Sequence, residues 1–117
     1  MDPKIAPTPP MGWNSFDCYD LAVNEEDVLG NAQYMARHLK PFGYEYIVID
    51  SSWYDPASAA WGRSDVPFVM DGYGRLFPCE CKFPSAAGGK GFAPLADQIH
   101  ALGLKFGIHI MRGISRQ

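Results

Sequence analysis

An α/β fold with parallel strands is predicted for this sequence, on three observations. A unit of amphipathic helix, glycine and apolar strand occurs twice, over residues 24–49 and 92–110. Each strand is a run of apolar residues such as Ile47-Val48-Ile49, which suits burial on both faces, as in sheets covered by helices. Superposing Gly43 on Gly103 sets Tyr44-Glu45-Tyr46 against Leu104-Lys105-Phe106. Alternating helix and strand forces parallel strands joined by right-handed crossovers.

The elements follow in order. Residues 11–16 (MGWNSF) form a candidate first short strand. A helix is predicted over 24–39. Asn24 caps it, Glu25, Glu26 and Asp27 sit against its positive end, and Val28, Ala32, Met35 and Leu39 recur on one face. Lys40-Pro41-Phe42-Gly43 stops it, and residues 44–49 are the second strand. A second helix over 92–102 carries Leu95, Ile99 and Leu102, ends at Gly103, and leads into a third strand over 104–110 (LKFGIHI).

Between Ser51 and Gly91 lie about forty residues without a strong period, longer than ordinary connections and therefore a candidate functional loop. It holds Trp53, Tyr54, Trp61, Phe68, Tyr73 and Phe77, and Asp71-Gly72 reads as a hairpin turn between two apolar stretches. A loop leaving the carboxyl end of a parallel strand lies where such folds build their sites. Asp50 is the residue at which the second strand meets it. Two roles fit this aspartate: satisfying local backbone donors at a strand end, or presenting a carboxylate at the mouth of a pocket. The tryptophans fit core filling, His109 fits a hydrogen-bonded core position inside its strand, and Arg112 fits a solvated side chain.

With 117 residues, 47% hydrophobic and 20% charged, the chain is sized for one core. A formal net charge of -3 with scattered Lys and Arg argues against nucleic-acid or anionic-membrane partners. No apolar stretch approaches the roughly 18 residues that span a bilayer, and the first ten residues lack a signal-peptide pattern. The chain therefore reads as soluble and cytoplasmic, with Cys18, Cys79 and Cys81 as reduced thiols. Cys79-Glu80-Cys81 and three scattered histidines lack the spacing of a zinc site. Gly88-Gly89-Lys90-Gly91 is not a phosphate loop, because Pro84 stands at the first glycine position and no Ser or Thr follows the lysine.

The segments MGWNSFDCY, GYEYIVIDSSWY, YGRLFPCECKFPS and GKGFAPLADQIHALGLKFGIHIMRGI, in this order and spacing, resemble the amino-terminal part of the α-galactosidase (melibiase) family, glycoside hydrolase family 27. The resemblance runs from about Thr8 to Arg116. It implies the first three strands and two helices of a (β/α)8 TIM barrel. It also implies a glycosidase that removes terminal α-linked galactose or N-acetylgalactosamine with retention and without a metal or other cofactor. Two aspartates on later strands would serve as nucleophile and acid/base, so no catalytic residue is expected in this chain.

What the resemblance carries over is a sugar-binding wall. Asp50 matches an aspartate that bonds sugar hydroxyls through charged acceptor bonds. Phe16 stands where relatives usually carry a tryptophan against the sugar, and His109 where a tyrosine often lines the pocket. Ser51 replaces a second aspartate found in many relatives, and Trp53 completes the set of candidate substrate-binding residues. Asp20 replaces a usual glycine, and Ser115 a proline. A barrel of this type needs at least about 200 residues, so the chain reads as a fragment not expected to fold stably alone. The alternative is a non-catalytic α/β remnant or a weak carbohydrate-binding module. Neither reading fixes the oligomeric state.

Overall fold

The computed structural model describes residues 7–58 and 66–111. Three strands, β1 (Gly12–Asn14), β2 (Tyr46–Ile49) and β3 (Lys105–Ile108), form one sheet in the order β1-β2-β3. Both pairs are parallel, with Asn14 beside Val48 and Ile49 beside Ile108. A four-residue helix α1 (Phe16–Tyr19) and the long α2 (Glu25–His38) connect β1 to β2, while α3 (Ala93–Ala101) precedes β3. Helix α2 packs on β2, α3 on β3, and the two helices touch each other. The parallel α/β arrangement predicted from the repeated unit is the one observed.

The local chemistry explains the boundaries. Asn24 accepts from Asp27 N–H at 3.0 Å, and the Asp27 carboxylate accepts from Asn24 N–H at 3.2 Å, a reciprocal cap that starts α2 where the sequence places it. A 3-10 turn at Lys40–Phe42 and Gly43, with φ 94°, end the helix. β1 is shorter than the predicted 11–16 because Asn14 Oδ1 accepts from Phe16 N–H at 2.8 Å and Tyr19 N–H reaches Ser15 O at 2.9 Å. Those bonds curl the chain into α1 directly after Asn14. In the long connection the hairpin exists as one antiparallel bridge between Met70 and Leu76. Its turn is organised by Asp71, whose Oδ1 accepts from Tyr73 and Arg75 N–H.

The core lies between the sheet and the helices. Val28, Ala32 and Met35 of α2, Leu95 and Ile99 of α3, and Ile47 and Ile49 of β2 are buried there with Trp53, Tyr54 and Phe83. Only one face of β2 is buried in full, since Tyr46 and Val48 on the other are half-buried, so the expected two-sided burial is not reached among the described residues. That second face borders an open cavity of about 760 Å³ along β1, lined in part by Gly12, Trp13, Asn14, Tyr46 and Val48.

One sequence expectation is corrected. Cys79 and Cys81 are not two free thiols but a disulfide pair, while Cys18 is free and exposed. Lys82 and Phe83 N–H both bond Cys79 O, and this tight curl brings the two sulfurs together at a Cα separation of 5.3 Å. Spacing rules aimed at zinc sites and long-range disulfides do not register a bridge across one residue. Trp61, Arg112 and Ser115 lie outside the described residues.

Asp20, for which the resemblance implies a glycine position, carries φ 54° and ψ -126° at the end of α1. That region is open to glycine and strained for other residues. Its Oδ1 is also buried without a hydrogen-bond partner among the described residues. Asp20→Gly is therefore expected to stabilise the full-length protein by about 1 kcal/mol, seen as a higher denaturant midpoint at unchanged slope. An unchanged or lower midpoint would show that the strain argument is wrong.

Candidate functional site

Three polar side chains meet at the carboxyl ends of the three strands. Asn14 is the last residue of β1, Asp50 follows β2, and His109 follows β3. The register sets Asp50 and His109 side by side, just past the Ile49–Ile108 pair, while Asn14, beside Val48, lies two residues lower and reaches Asp50 through its side chain; His109 N–H continues the ladder by bonding Ile49 O at 2.8 Å. Asn14 Nδ2 donates to Asp50 Oδ2 at 2.8 Å, and His109 Nδ1 lies 3.1 Å from the same oxygen. A carboxylate only accepts, so the His109 Nδ1 proton faces Asp50.

The other carboxylate oxygen, Oδ1, accepts from Ser51 N–H at 2.6 Å. The backbone of Asp50 is pinned as well, its N–H donating to the buried Ser15 Oγ at 2.9 Å. Of about four lone-pair positions on the carboxylate, three are taken, and the fourth, on Oδ1, meets no donor among the described residues. Partial burial alone raises the Asp50 carboxyl. The bonds from Ser51, Asn14 and His109 outweigh it and hold the group below the usual carboxylate range. The site thus presents a fixed, ionised acceptor whose side chain is 21% exposed beside a His109 side chain 55% exposed.

The five sequence candidates fall in different places. Asp50 and His109 are joined directly, and His109 is an exposed residue past the strand end rather than a core histidine. Phe16 is half-buried one turn past β1, its N–H held by Asn14. Ser51 is buried and reaches Asp50 through its backbone. Trp53, named both as a core filler and as a candidate substrate-binding residue, lies where the first of these places it. At 3% accessibility it is a core residue, with its ring against Tyr54 and Phe92 and its Nε1 donating to His109 O at 2.8 Å. A large aromatic one turn past a strand folds back under the loop because burial removes its apolar surface from water. Trp53 therefore supports the site from beneath by holding the backbone of His109.

Asn14 and Ser15 are site residues that the sequence reading did not single out. Their signal was the one that drew attention to Asp50, a polar residue ending an apolar strand. Behind this wall, Lys82 Nζ donates to Leu21 O at 2.7 Å, Ser52 O at 3.1 Å and Ser58 Oγ at 2.7 Å, tying the loops after β1 and β2 together. Burial pushes the Lys82 ammonium down to about 8, with the Asp55 carboxylate opposing the shift. Among the described residues no group of three His, Cys, Asp or Glu is placed to hold a metal ion.

No protein-family model matches the chain. Over 97% of its length it is 63% identical to a glycoside hydrolase family 27 β-L-arabinopyranosidase from Geobacillus stearothermophilus solved in complex with arabinose, with a TM-score of 0.93 and coverage of 27% of that chain. It is 29% identical, over 86% of its length and 19% of the other, to the α-galactosidase of Saccharomyces cerevisiae solved with raffinose, at a TM-score of 0.67. An α-galactosidase from Cyamopsis tetragonoloba is 33% identical over 90% of this chain and 22% of the relative. The chain spans about a fifth of the length of the curated relatives it matches. In sequence and in fold it belongs to the α-galactosidase family, glycoside hydrolase family 27.

Proposed function

We propose that the full-length protein is a retaining glycoside hydrolase, and that residues 1–117 form the first three strands of its (β/α)8 barrel and one wall of its sugar site. The observation that carries this reading is the Asp50 carboxylate, fixed by Ser51, Asn14 and His109 at the carboxyl ends of adjacent parallel strands with one acceptor position left open. A rigid anionic acceptor is suited to a sugar hydroxyl, because a charged acceptor makes a strong bond and its loss leaves a desolvated charge unpaired. Phe16 and the exposed edge of His109 complete the wall. The nucleophile and acid/base aspartates belong to later strands in this reading. The half-buried second face of β2 is the face that the remaining barrel strands would cover.

The substrates of the relatives narrow the sugar. β-L-arabinopyranose and α-D-galactopyranose share the same arrangement of ring hydroxyls and anomeric bond, and differ by the hydroxymethyl group on C5. The greater identity to the arabinopyranosidase favours the smaller sugar. The test is hydrolysis of 4-nitrophenyl β-L-arabinopyranoside, α-D-galactopyranoside and N-acetyl-α-D-galactosaminide by the full-length protein. Turnover of the first two, with kcat/KM greater for the arabinopyranoside, is expected. No turnover of any of the three would refute the proposal.

A further inference from the structure

We propose that Asn14 is a positioning residue of the sugar site, a side chain that couples the aromatic platform after β1 to the carboxylate after β2. This rests on the glycosidase reading above. Asn14 Oδ1 accepts from Phe16 N–H at 2.8 Å, which fixes the orientation of the carboxamide, since only its oxygen can serve that donor. Nδ2 must then face the other way. It donates to Asp50 Oδ2 at 2.8 Å and lies 3.4 Å from His109 Nδ1.

The consequence is geometric. With Asn14 and His109 both on Oδ2, the carboxylate cannot rotate without breaking two bonds, and Oδ1 is the oxygen kept for a ligand hydroxyl. Meanwhile Phe16 is held at a fixed height relative to that oxygen. Only a short carboxamide supplies both functions across this gap. Serine is too short to reach both partners, glutamine is too long, and aspartate turns the donor facing Asp50 into a second acceptor. A ligand held by a preorganised wall loses affinity when the wall becomes free to move.

The titratable groups that meet Asn14 among the described residues are Asp50 and His109. This gives a test that a merely structural residue would not pass. Asn14→Ala and Asn14→Asp are made in the full-length enzyme, and kcat and KM are measured from pH 4 to 8 beside the wild type. For Asn14→Ala, KM is expected to rise about tenfold at every pH, with kcat changed less than threefold. Asn14→Asp keeps the acceptor for Phe16 N–H and so keeps the fold, but sets two carboxylates within hydrogen-bond distance, where they share a proton. Its kcat/KM is expected to acquire an ionisation above the usual carboxylate range that the wild type lacks. Wild-type KM in the alanine variant, or a pH profile of the aspartate variant parallel to wild type, overturns the inference. If the wild-type enzyme itself turns over none of the three glycosides, the glycosidase reading fails instead.

Discussion

Asp50→Asn in the full-length enzyme is expected to lower kcat/KM on its best glycoside by about 100-fold or more. Both carboxylate oxygens already accept from fixed donors, Ser51 N–H on one side and Asn14 with His109 on the other. An asparagine must turn its amide NH₂ toward one of these sets, so a bond is lost and a donor faces a donor whichever way the amide is placed. The charge-assisted bond offered to a sugar hydroxyl falls to a neutral one at the same time. Because the folded carboxyl lies below its usual range, the charge is present throughout the working pH range. By linkage, its contribution to stability is present above the unfolded value of about 3.9 and is lost as pH falls through the folded one. Steady-state kinetics at neutral pH, with a thermal melt to confirm folding, decide the matter. Unchanged kinetics would mean that Asp50 only ends its strand.

The second large effect lies in the backbone. Gly12 of β1 stands opposite Tyr46 of β2, and a Cβ on Gly12 would lie 2.6 Å from Tyr46 Cβ and 2.9 Å from Tyr46 C, closer still to Tyr46 O. The obstacle is main chain and cannot move aside, so Gly12→Ala must push β1 away from β2. That shift carries off Asn14, and with it Ser15, whose hydroxyl receives Asp50 N–H. A loss of about 4 kcal/mol or failure to accumulate as soluble protein is expected, an effect at the upper end for a single methyl group. Gly30 in α2 is the matched control. An added Cβ meets nothing within 4 Å there, and Gly30→Ala is expected to raise stability by about 1 kcal/mol through helix propensity. Equal stability of the two variants would show that the close approach of β1 and β2 does not constrain the fold.

Much of the fold was legible because its signals are local. Asn24 and Asp27 cap α2 where their spacing says they should, and Gly43 and Gly103 both take positive φ at the ends of their helical segments. The two apolar runs became adjacent parallel strands. What could not be read depends on contacts across the chain or on bonds too local to leave a periodic trace. Helix α1 follows from one side-chain acceptor, Asn14 Oδ1, and the Cys79–Cys81 bridge from a tight backbone curl. Trp53 took the core place its type suggests, whereas His109 left the core place its apolar run suggests, because a residue's depth after a strand end depends on where the next loop folds. Trp53 went under the loop and His109 stayed at the surface. For the site, position at a strand end located Asp50. Its partners emerged only when the parallel register brought residues 14, 50 and 109 together.

The most direct test of this account is a crystal structure of the full-length protein soaked with L-arabinose. A pyranose ring is expected beside Phe16 with one hydroxyl within about 3 Å of Asp50 Oδ1, while Oδ2 keeps its bonds to Asn14 and His109. A sugar bound elsewhere in the protein, with Asp50 touching no hydroxyl, would contradict it.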